Sequence, residues 1–198
     1  MVDKPVVSKV LSSVLIDNRA SVFLLLDHLR QKGHRRILFI NGLKINPNAQ
    51  LRANAFQEYL HRHKLDISDI LFGDYTMQHG YQAACHALAN HPGFTAVSCG
   101  DDTVACGVMA ALKANGRRIP EDVAVVGFSD DPMAQLMDPP LTTVCYPIAE
   151  MGRTAFHLFR RLSTQEAKPG ETITLETTLA IRHSTDTRCP RYPNLIQV

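Results

Sequence analysis

The sequence predicts an α/β fold in which a parallel sheet is covered by helices on both faces. Short apolar segments alternate with longer segments whose apolar residues recur at helical spacing, from residue 14 to residue 145. The short segments are apolar throughout, which is typical of strands buried on both faces. Each of them ends in glycine or a polar residue before the next helix. Repeated strand and helix units of this kind form parallel sheets.

Six short apolar segments are predicted as strands, namely residues 14–16, 37–40, 70–72, 96–99, 123–127 and 142–145. Those between residues 37 and 127 are expected to run parallel. Their carboxyl ends are expected near Asn41, Gly73, Gly100 and Phe128.

Helices are predicted between these strands. Asp17 or Asn18 can cap the first helix, which is expected to run to Lys32 and stop at Gly33. The second helix shows apolar residues at helical spacing, namely Leu51, Ala55, Tyr59 and Leu60. The third and fourth helices are expected at residues 79–90 and up to residue 114.

The last third of the chain departs from this alternation. Residues 148–163 carry one apolar helical stripe, formed by Ile148, Met151, Ala155, Leu158, Phe159 and Leu162. After a turn at 168–170, residues 172–181 are rich in Thr, Ile and Leu and are predicted as one long edge strand. From residue 185 onward the chain is polar and is expected to be loose.

Polar side chains follow two of the predicted strands. Asp101 and Asp102 come directly after residues 96–99, and Phe128, Ser129 and the pair at 130–131 follow 123–127. The carboxylates can cap the helix that begins there. Because open α/β sheets bind ligands beyond the carboxyl ends of their strands, both strand ends are expected to point into one crevice.

Composition is that of a soluble globular protein, with 45% hydrophobic and 20% charged residues. The net charge of +2 gives no reason to expect nucleic-acid or membrane binding by the chain as a whole. Residues 25–64 hold eight Lys or Arg against Asp27 and Glu58. A solvated face explains this local excess more simply than a phosphate-binding patch.

The five cysteines show no CxxC spacing, and four lie in apolar segments. Buried, reduced thiols in the cytoplasm are therefore expected, rather than a disulfide framework or a zinc site. The chain shows no leader peptide and no apolar segment long enough to cross a bilayer. No metal and no cofactor is expected, since His61 and His63 would lie on different faces of a helix.

Three motifs in order resemble the lactose and galactose repressor family of transcription regulators. Residues 14–36 contain Val-Leu-Ile-Asp-Asn-Arg-Ala and Leu-Arg-Gln-Lys-Gly-His-Arg-Arg, and residues 99–143 contain Cys-Gly-Asp-Asp, Ser-Asp-Asp and Asp-Pro-Pro-Leu-Thr-Thr. The third motif is Glu150-Met151-Gly152. The resemblance covers about residues 12 to 183 and implies one lobe of a two-lobed core of the type I periplasmic-binding-protein kind.

The resemblance also implies a division of the chain. Residues 1–13 would be a leader segment or a remnant of the first lobe, and residues 14–146 the C-terminal lobe of the effector-binding domain. Residues 147–164 would be the helix that crosses to the first lobe in the family, 165–184 a returning strand, and 185–198 a loose tail. The DNA-binding headpiece and most of the first lobe would be absent. We therefore expect no sequence-specific DNA binding by this chain alone.

Seven residues are candidates for contact with a sugar-like effector. By resemblance, Arg52 aligns with an arginine that hydrogen-bonds the effector, Asp101 stands where the family usually has Asn, and Tyr75 takes the place of an aromatic that packs on the ligand. Ser129 stands where the family has the first Asp of a pair. The remaining candidates, from the loop after residue 40 and the end of a strand, are Asn46, Asn48 and Phe128.

Simpler roles exist for six of the seven candidates. Asp101 can be a helix cap alone, and Asp102 is expected to cap or brace the lobe. Asn46 and Asn48 flank Pro47 and are typical turn formers. Phe128 fits the core at least as well as a site, and Arg52 and Tyr75 could be an ordinary surface arginine and a half-buried aromatic.

Three other function classes are possible. An enzyme is not favoured, because the chain lacks G-x-G-x-x-G, a P-loop, G-x-S-x-G and H-E-x-x-H. A periplasmic-type sugar-binding protein shares the family's core, but the missing leader and the cysteines argue against it. A free-standing interaction module remains open. The family further implies a homodimer, and the apolar stripe of residues 148–163 favours self-association.

Overall fold

The computed structural model describes residues 1–5, 8–66, 69–91 and 93–191. Eight strands and five helices follow one another along the described chain. They are β1 (Ser13–Ile16), α1 (Asn18–Gln31), β2 (Ile37–Asn41), α2 (Pro47–His63), β3 (Ile70–Phe72), α3 (Met77–Asn90), β4 (Ala96–Cys99), α4 (Asp102–Ala114), β5 (Ala124–Ser129), β6 (Thr142–Cys145), α5 (Ile148–Ser163), β7 (Thr172–Leu175) and β8 (Thr178–Ala180). A short 3₁₀ helix, Pro132–Gln135, follows β5.

Six strands form the main sheet, in the order β3-β2-β4-β5-β6-β8. The first five strands in this order are parallel, and β8 runs antiparallel to β6. The parallel strands end at Asn41, Phe72, Cys99, Ser129 and Cys145. The predicted parallel α/β architecture is therefore confirmed, with strand ends at or within one residue of those expected.

Helices cover both faces of the main sheet because alternate strand residues point to opposite sides. Ile37 and Phe39 of β2 pack in one core with Leu26 of α1 and Phe56 of α2. Leu38 and Ile40 pack in a second core with α3 and α4, which contribute Ala83, Ala84, Val104 and Leu112 among others. Two cores on one sheet fix the strand ends on which the site is built.

Helices α3 and α4 approach each other closely through two glycines. A Cβ atom on Gly107 would overlap the carbonyl oxygen of Met77, and one on Gly80 would overlap the carbonyl oxygen of Val104. Both obstacles are backbone atoms, which cannot rotate away as a side chain can. The two helices therefore require glycine at these positions.

The end of the chain differs from the expected long strand over residues 172–181. That prediction is wrong, because two sheets divide the segment. β7 pairs in parallel with β1 in a separate two-stranded sheet, and β8 pairs with β6 at the edge of the main sheet. Thr177 lies between β7 and β8, and a hydrogen bond holds it to α1, since its hydroxyl oxygen is 2.8 Å from that of Ser21.

The apolar stripe of α5 is divided between the core and solvent. Met151 and Leu158 are buried in the core of their own chain, and Ala155 and Leu162 pack against it. Ile148 and Phe159, expected on the same face, are 65% and 67% exposed, as is Phe156 at 64%. Helix α5 is thus held by its own lobe on one side, and only part of the predicted stripe is exposed. Self-association stays a prediction.

Three smaller expectations also need correction. Leu51 is 43% exposed and does not share the buried face of Ala55 and Tyr59. Of the five cysteines, all unpaired, only Cys99 is buried, and the others are partly exposed. The segment after residue 184 is not loose at its start, because Thr185 is buried and its hydroxyl lies 2.8 Å from Nε2 of His28. Residues 192–198 lie outside the described part of the chain.

No helix in the described part of the chain combines the length and apolar character that a membrane span needs.

Candidate functional site

Arg52 lies at the centre of the crevice beyond the carboxyl ends of β4 and β5. It belongs to α2 and is only 7% exposed. Its Nη1 donates to the carbonyl oxygen of Gly100 at 2.7 Å, and its guanidinium lies 3.7 Å from the centre of the Phe128 ring. The stacked ring and the carbonyl fix the plane of the guanidinium. Since a guanidinium has five N–H donors, it retains donors for a ligand.

Two buried asparagines hold Arg52 from the opposite side. Nε of Arg52 donates to Oδ1 of Asn18 at 2.8 Å, and Nδ2 of Asn18 donates to Oδ1 of Asn48 at 3.3 Å. Nδ2 of Asn48 donates in turn to the carbonyl oxygen of Asp3 at 2.9 Å. This hydrogen-bonded chain orders the arginine before any ligand arrives, because each amide has its partner within the protein.

The ends of β4 and β5 contribute Asp101 and Ser129. Asp101 caps α4, where its Oδ1 accepts from the backbone N–H of Thr103 at 2.7 Å. Ser129 ends β5 with a φ of 141°, and Asp130 follows with a φ of 57°. Positive φ values at two consecutive non-glycine residues are uncommon and occur in tight turns and binding sites. The chain turns sharply here, which brings Asp131 into the crevice.

Tyr75 and Asn46 form the outer wall. The Tyr75 ring packs directly over Gly42, where any side chain would overlap it. Burial raises the pKa of the Tyr75 hydroxyl, with smaller effects from the nearby charges of Arg52, Asp101 and Asp3. Asn46 caps α2, and its Oδ1 accepts from the backbone N–H of Asn48 at 2.9 Å.

These side chains enclose an open cleft of about 330 Å³, here called the Arg52 cleft. It is lined by Asp3, Asn46, Asn48, Arg52, Tyr75, Asp101, Ser129, Asp131, Tyr146 and Ile148. Six of the seven sequence candidates are therefore brought together. The seventh, Phe128, is 2% exposed and lies beneath Arg52 instead of lining the cleft. Its aromatic face suits the arginine, which explains its place at the strand end.

Four lining residues were missed by the sequence reasoning. Tyr146 directly follows β6, so the strand-end argument used for Asp101 and Ser129 could have found it. Asp131 is the second residue of the acidic pair at 130–131, which follows the predicted strand 123–127. Asp3 and Ile148 come from outside the alternating region, and Asp3 reaches the cleft because its Oδ1 accepts from the Tyr146 hydroxyl at 2.6 Å. Nothing local in the sequence signals that contact.

Another groove, of about 360 Å³, lies on the far side of Asn18 and Asn48. Its walls include the apolar side chains of Leu15 and Leu51 and the ion pair of Arg19 with Glu58. It is lined by no residue from the carboxyl ends of the main-sheet strands, so the Arg52 cleft is the better candidate site. Within the described residues, no group of three His, Cys, Asp or Glu side chains could hold a metal ion.

Asp102 braces the floor of the cleft. It does not cap its own helix. Its Oδ1 accepts from the hydroxyl of Thr143 at 2.6 Å, and its Oδ2 accepts from the backbone N–H of Asp131 at 2.9 Å. Asp102 thus ties the end of β5 to β6, as the bracing interpretation predicted. Burial raises its pKa from an ordinary 3.8 to about 6, although both hydrogen bonds act in the opposite direction.

This raised pKa predicts a pH-dependent stability. The folded state binds the Asp102 proton more strongly than the unfolded state does. The protonated Asp102 therefore adds to the free energy of unfolding, fully below about pH 4, and this stabilisation is lost as the pH rises through 6. Its size is about 3 kcal/mol. In Asp102→Asn, the amide can accept from Asp131 and donate to Thr143, so this pH dependence should disappear. Urea unfolding between pH 4 and 7 measures it, with Asp17→Asn, at the exposed cap of α1, as control. Parallel stability profiles of wild type and Asp102→Asn would contradict the prediction.

Comparison with known proteins identifies the family to which the chain belongs. The family profile described as "Periplasmic binding protein-like domain" matches residues 26–185. The chain belongs to this family. Among characterised relatives, the HTH-type transcriptional regulator GalR of Salmonella typhimurium (strain SL1344) is 33% identical over 88% of this chain and 52% of its own length. The HTH-type transcriptional repressor CytR of Escherichia coli (strain K12) is likewise 33% identical, over 88% of this chain and 52% of its own.

Solved structures of family members show the same fold. A structure of the transcriptional regulator CelR in complex with cellobiose has a TM-score of 0.86 and 32% identity, over 92% of this chain and 57% of that one. The lac repressor dimer bound to operator and the anti-inducer ONPF has a TM-score of 0.82 and 28% identity, over 87% of this chain and 52% of that one. Over most of its length the chain is thus similar to transcription regulators that include GalR, CytR and CelR. It spans about half the length of the relatives it matches.

Proposed function

We propose that this chain is the effector-sensing lobe of a transcription regulator and that the Arg52 cleft binds one side of a small, hydroxyl-rich molecule such as a sugar. The observation that carries the proposal is the preordered guanidinium of Arg52. It is buried, stacked on Phe128 and hydrogen-bonded to Asn18 and Gly100, yet it lines an open cleft. Preordered polar groups beside aromatic rings are what polar ligands require.

The relatives support the rest of the proposal. They are transcription regulators, and the structures compared include a cellobiose complex and an operator-bound dimer. We accordingly propose that the parent protein acts in the cytoplasm as a homodimer without catalytic activity. A second lobe would close over the effector about a hinge. DNA would be contacted only by a headpiece that is not part of this chain.

A conservative substitution tests the role of Arg52. Arg52→Lys keeps the positive charge but loses the planar fork that holds Gly100 and Asn18 together, so sugar affinity should fall by about tenfold or more. Titration of the labelled chain with neutral, amino and phosphorylated hexoses, followed by NMR, measures weak binding by a single lobe. Arg62→Lys, on an exposed position of the same helix, is the matched control.

Two results would overturn the proposal. One is that none of these hexoses shifts the amides of Gly100, Ser129 or Asp131. The other is that Arg52→Lys, with an unchanged circular dichroism spectrum, binds them as well as the wild type does.

A further inference from the structure

The Arg52 cleft carries an excess of negative charge. Three carboxylates line it, from Asp3, Asp101 and Asp131, whereas Arg52 is the one cation among its lining residues. The three acids come from different parts of the fold, namely the N-terminal segment, the cap of α4 and the turn after β5. The excess is therefore built by tertiary structure rather than by a run of acidic sequence.

Within the described residues, Arg52 forms no ion pair with these acids. Its hydrogen bonds run to the neutral acceptors of Gly100 and Asn18, and its face rests on Phe128. In contrast, Asp130 just outside the cleft forms an ion pair with Arg182 at 2.7 Å. Among the residues that the structure describes, Asp3, Asp101 and Asp131 form no ion pair of this kind.

The lining carboxylates also repel one another. The pKa of Asp131 is raised by burial and by the charges of Asp101 and Asp130. Within the described part of the chain, the carboxylate of Asp131 accepts no hydrogen bond, and Asp101 uses only Oδ1 in capping α4. Oxygen atoms of both side chains are consequently available to a donor in the cleft.

Two aromatic rings complete the surroundings. Tyr75 and Tyr146 both line the cleft, and the Tyr146 hydroxyl donates to Asp3. Carboxylates together with tyrosine rings form the type of surface that binds organic cations.

We infer that the effector carries a protonated amine, as an amino sugar does, and that Asp101 and Asp131 select it over the neutral sugar. This inference rests on the proposed function of the cleft. A neutral sugar can donate hydroxyl hydrogen bonds to both acids but leaves their charges facing each other. A sugar phosphate adds a further negative charge. An ammonium group removes the repulsion and forms charge-assisted hydrogen bonds, which are roughly twice as strong as neutral ones.

Matched sugars test the inference in the complete chain. Glucosamine and galactosamine are each compared with glucose, galactose and the corresponding 6-phosphates, by NMR titration at about pH 6.5. We expect at least one amino sugar to bind about tenfold more tightly than its neutral counterpart, and the phosphates to bind most weakly. The double substitution Asp101→Asn with Asp131→Asn should remove the preference, since Asn still caps α4 but carries no charge. Asp74→Asn, an exposed acid outside the cleft, should keep it.

The outcomes separate this inference from the proposed function. If neutral sugars bind through Arg52 as tightly as the amino sugars, or if a phosphate binds more tightly, the cleft is an effector site and the inference is wrong. A preference that survives the double substitution also overturns it. If no sugar of any charge binds, the proposed function fails and the inference fails with it.

Discussion

Gly107→Ala is expected to lower the free energy of unfolding by about 3 kcal/mol or more. The added methyl group would overlap the carbonyl oxygen of Met77 and crowd the backbone nitrogen of Tyr81, so α3 and α4 would have to move apart. Most overpacking is relieved by side-chain rotation, but here the obstacle is the backbone of a neighbouring helix. Chemical denaturation monitored by circular dichroism measures the loss.

Gly152→Ala is the matched control, because it makes the same change in helix α5 where no described atom beyond the local helix backbone lies within 4 Å of the new methyl group. Alanine favours a helix over glycine by about 1 kcal/mol, so this variant should be slightly more stable than the wild type. If both variants shift stability equally, the close contact between α3 and α4 does not exist.

Leu26→Ala is expected to destabilise the protein by about 3 to 5 kcal/mol. Leu26 is 0% exposed and lies in the core between α1 and the main sheet, where truncation leaves a cavity. Leu24, two positions earlier on the same helix, is 38% exposed. Leu24→Ala should therefore cost less than about 1 kcal/mol.

Thermal and urea unfolding of both leucine variants tests which face of α1 packs against the core. Equal losses of stability for Leu24→Ala and Leu26→Ala would mean that the Leu26 face of α1 is not the face that packs against the core. A larger loss for Leu24→Ala would mean that the helix is rotated.

The sequence predicts the main sheet well because its strands are buried on both faces. Residues 37–40 and 96–99 are apolar at every position or nearly so, and such segments have few alternatives to a central parallel strand. The same argument located Asp101 and Ser129, since a polar residue after a buried strand must emerge at the sheet edge. Arg52 and Tyr75 were predicted only from the resemblance to the family. An arginine in a helix or a tyrosine in a loop is not by itself a sign of a binding site.

The parts that the sequence did not predict depend on distant partners. Residues 172–181 look like one strand, but β7 pairs with β1 and β8 pairs with β6, and both partners lie far away in the chain. Asp3 reaches the cleft through Tyr146, a contact across 143 positions. Local propensity carries no information about such pairings. The exposed position of Phe159 likewise depends on which side of α5 meets the lobe.

The division of residues 172–181 between two sheets has a mechanical consequence. Only Glu176 and Thr177 separate β7 from β8, so the Cα atoms of Leu175 and Thr178 can be at most about 10 Å apart. The two-stranded sheet is therefore linked to the edge of the main sheet by two residues. It cannot move far from the main sheet unless β7 or β8 loses its strand pairing. A displacement of β1 or β7 would accordingly displace β8 and its partner β6, because the two-residue connection cannot lengthen to absorb the movement.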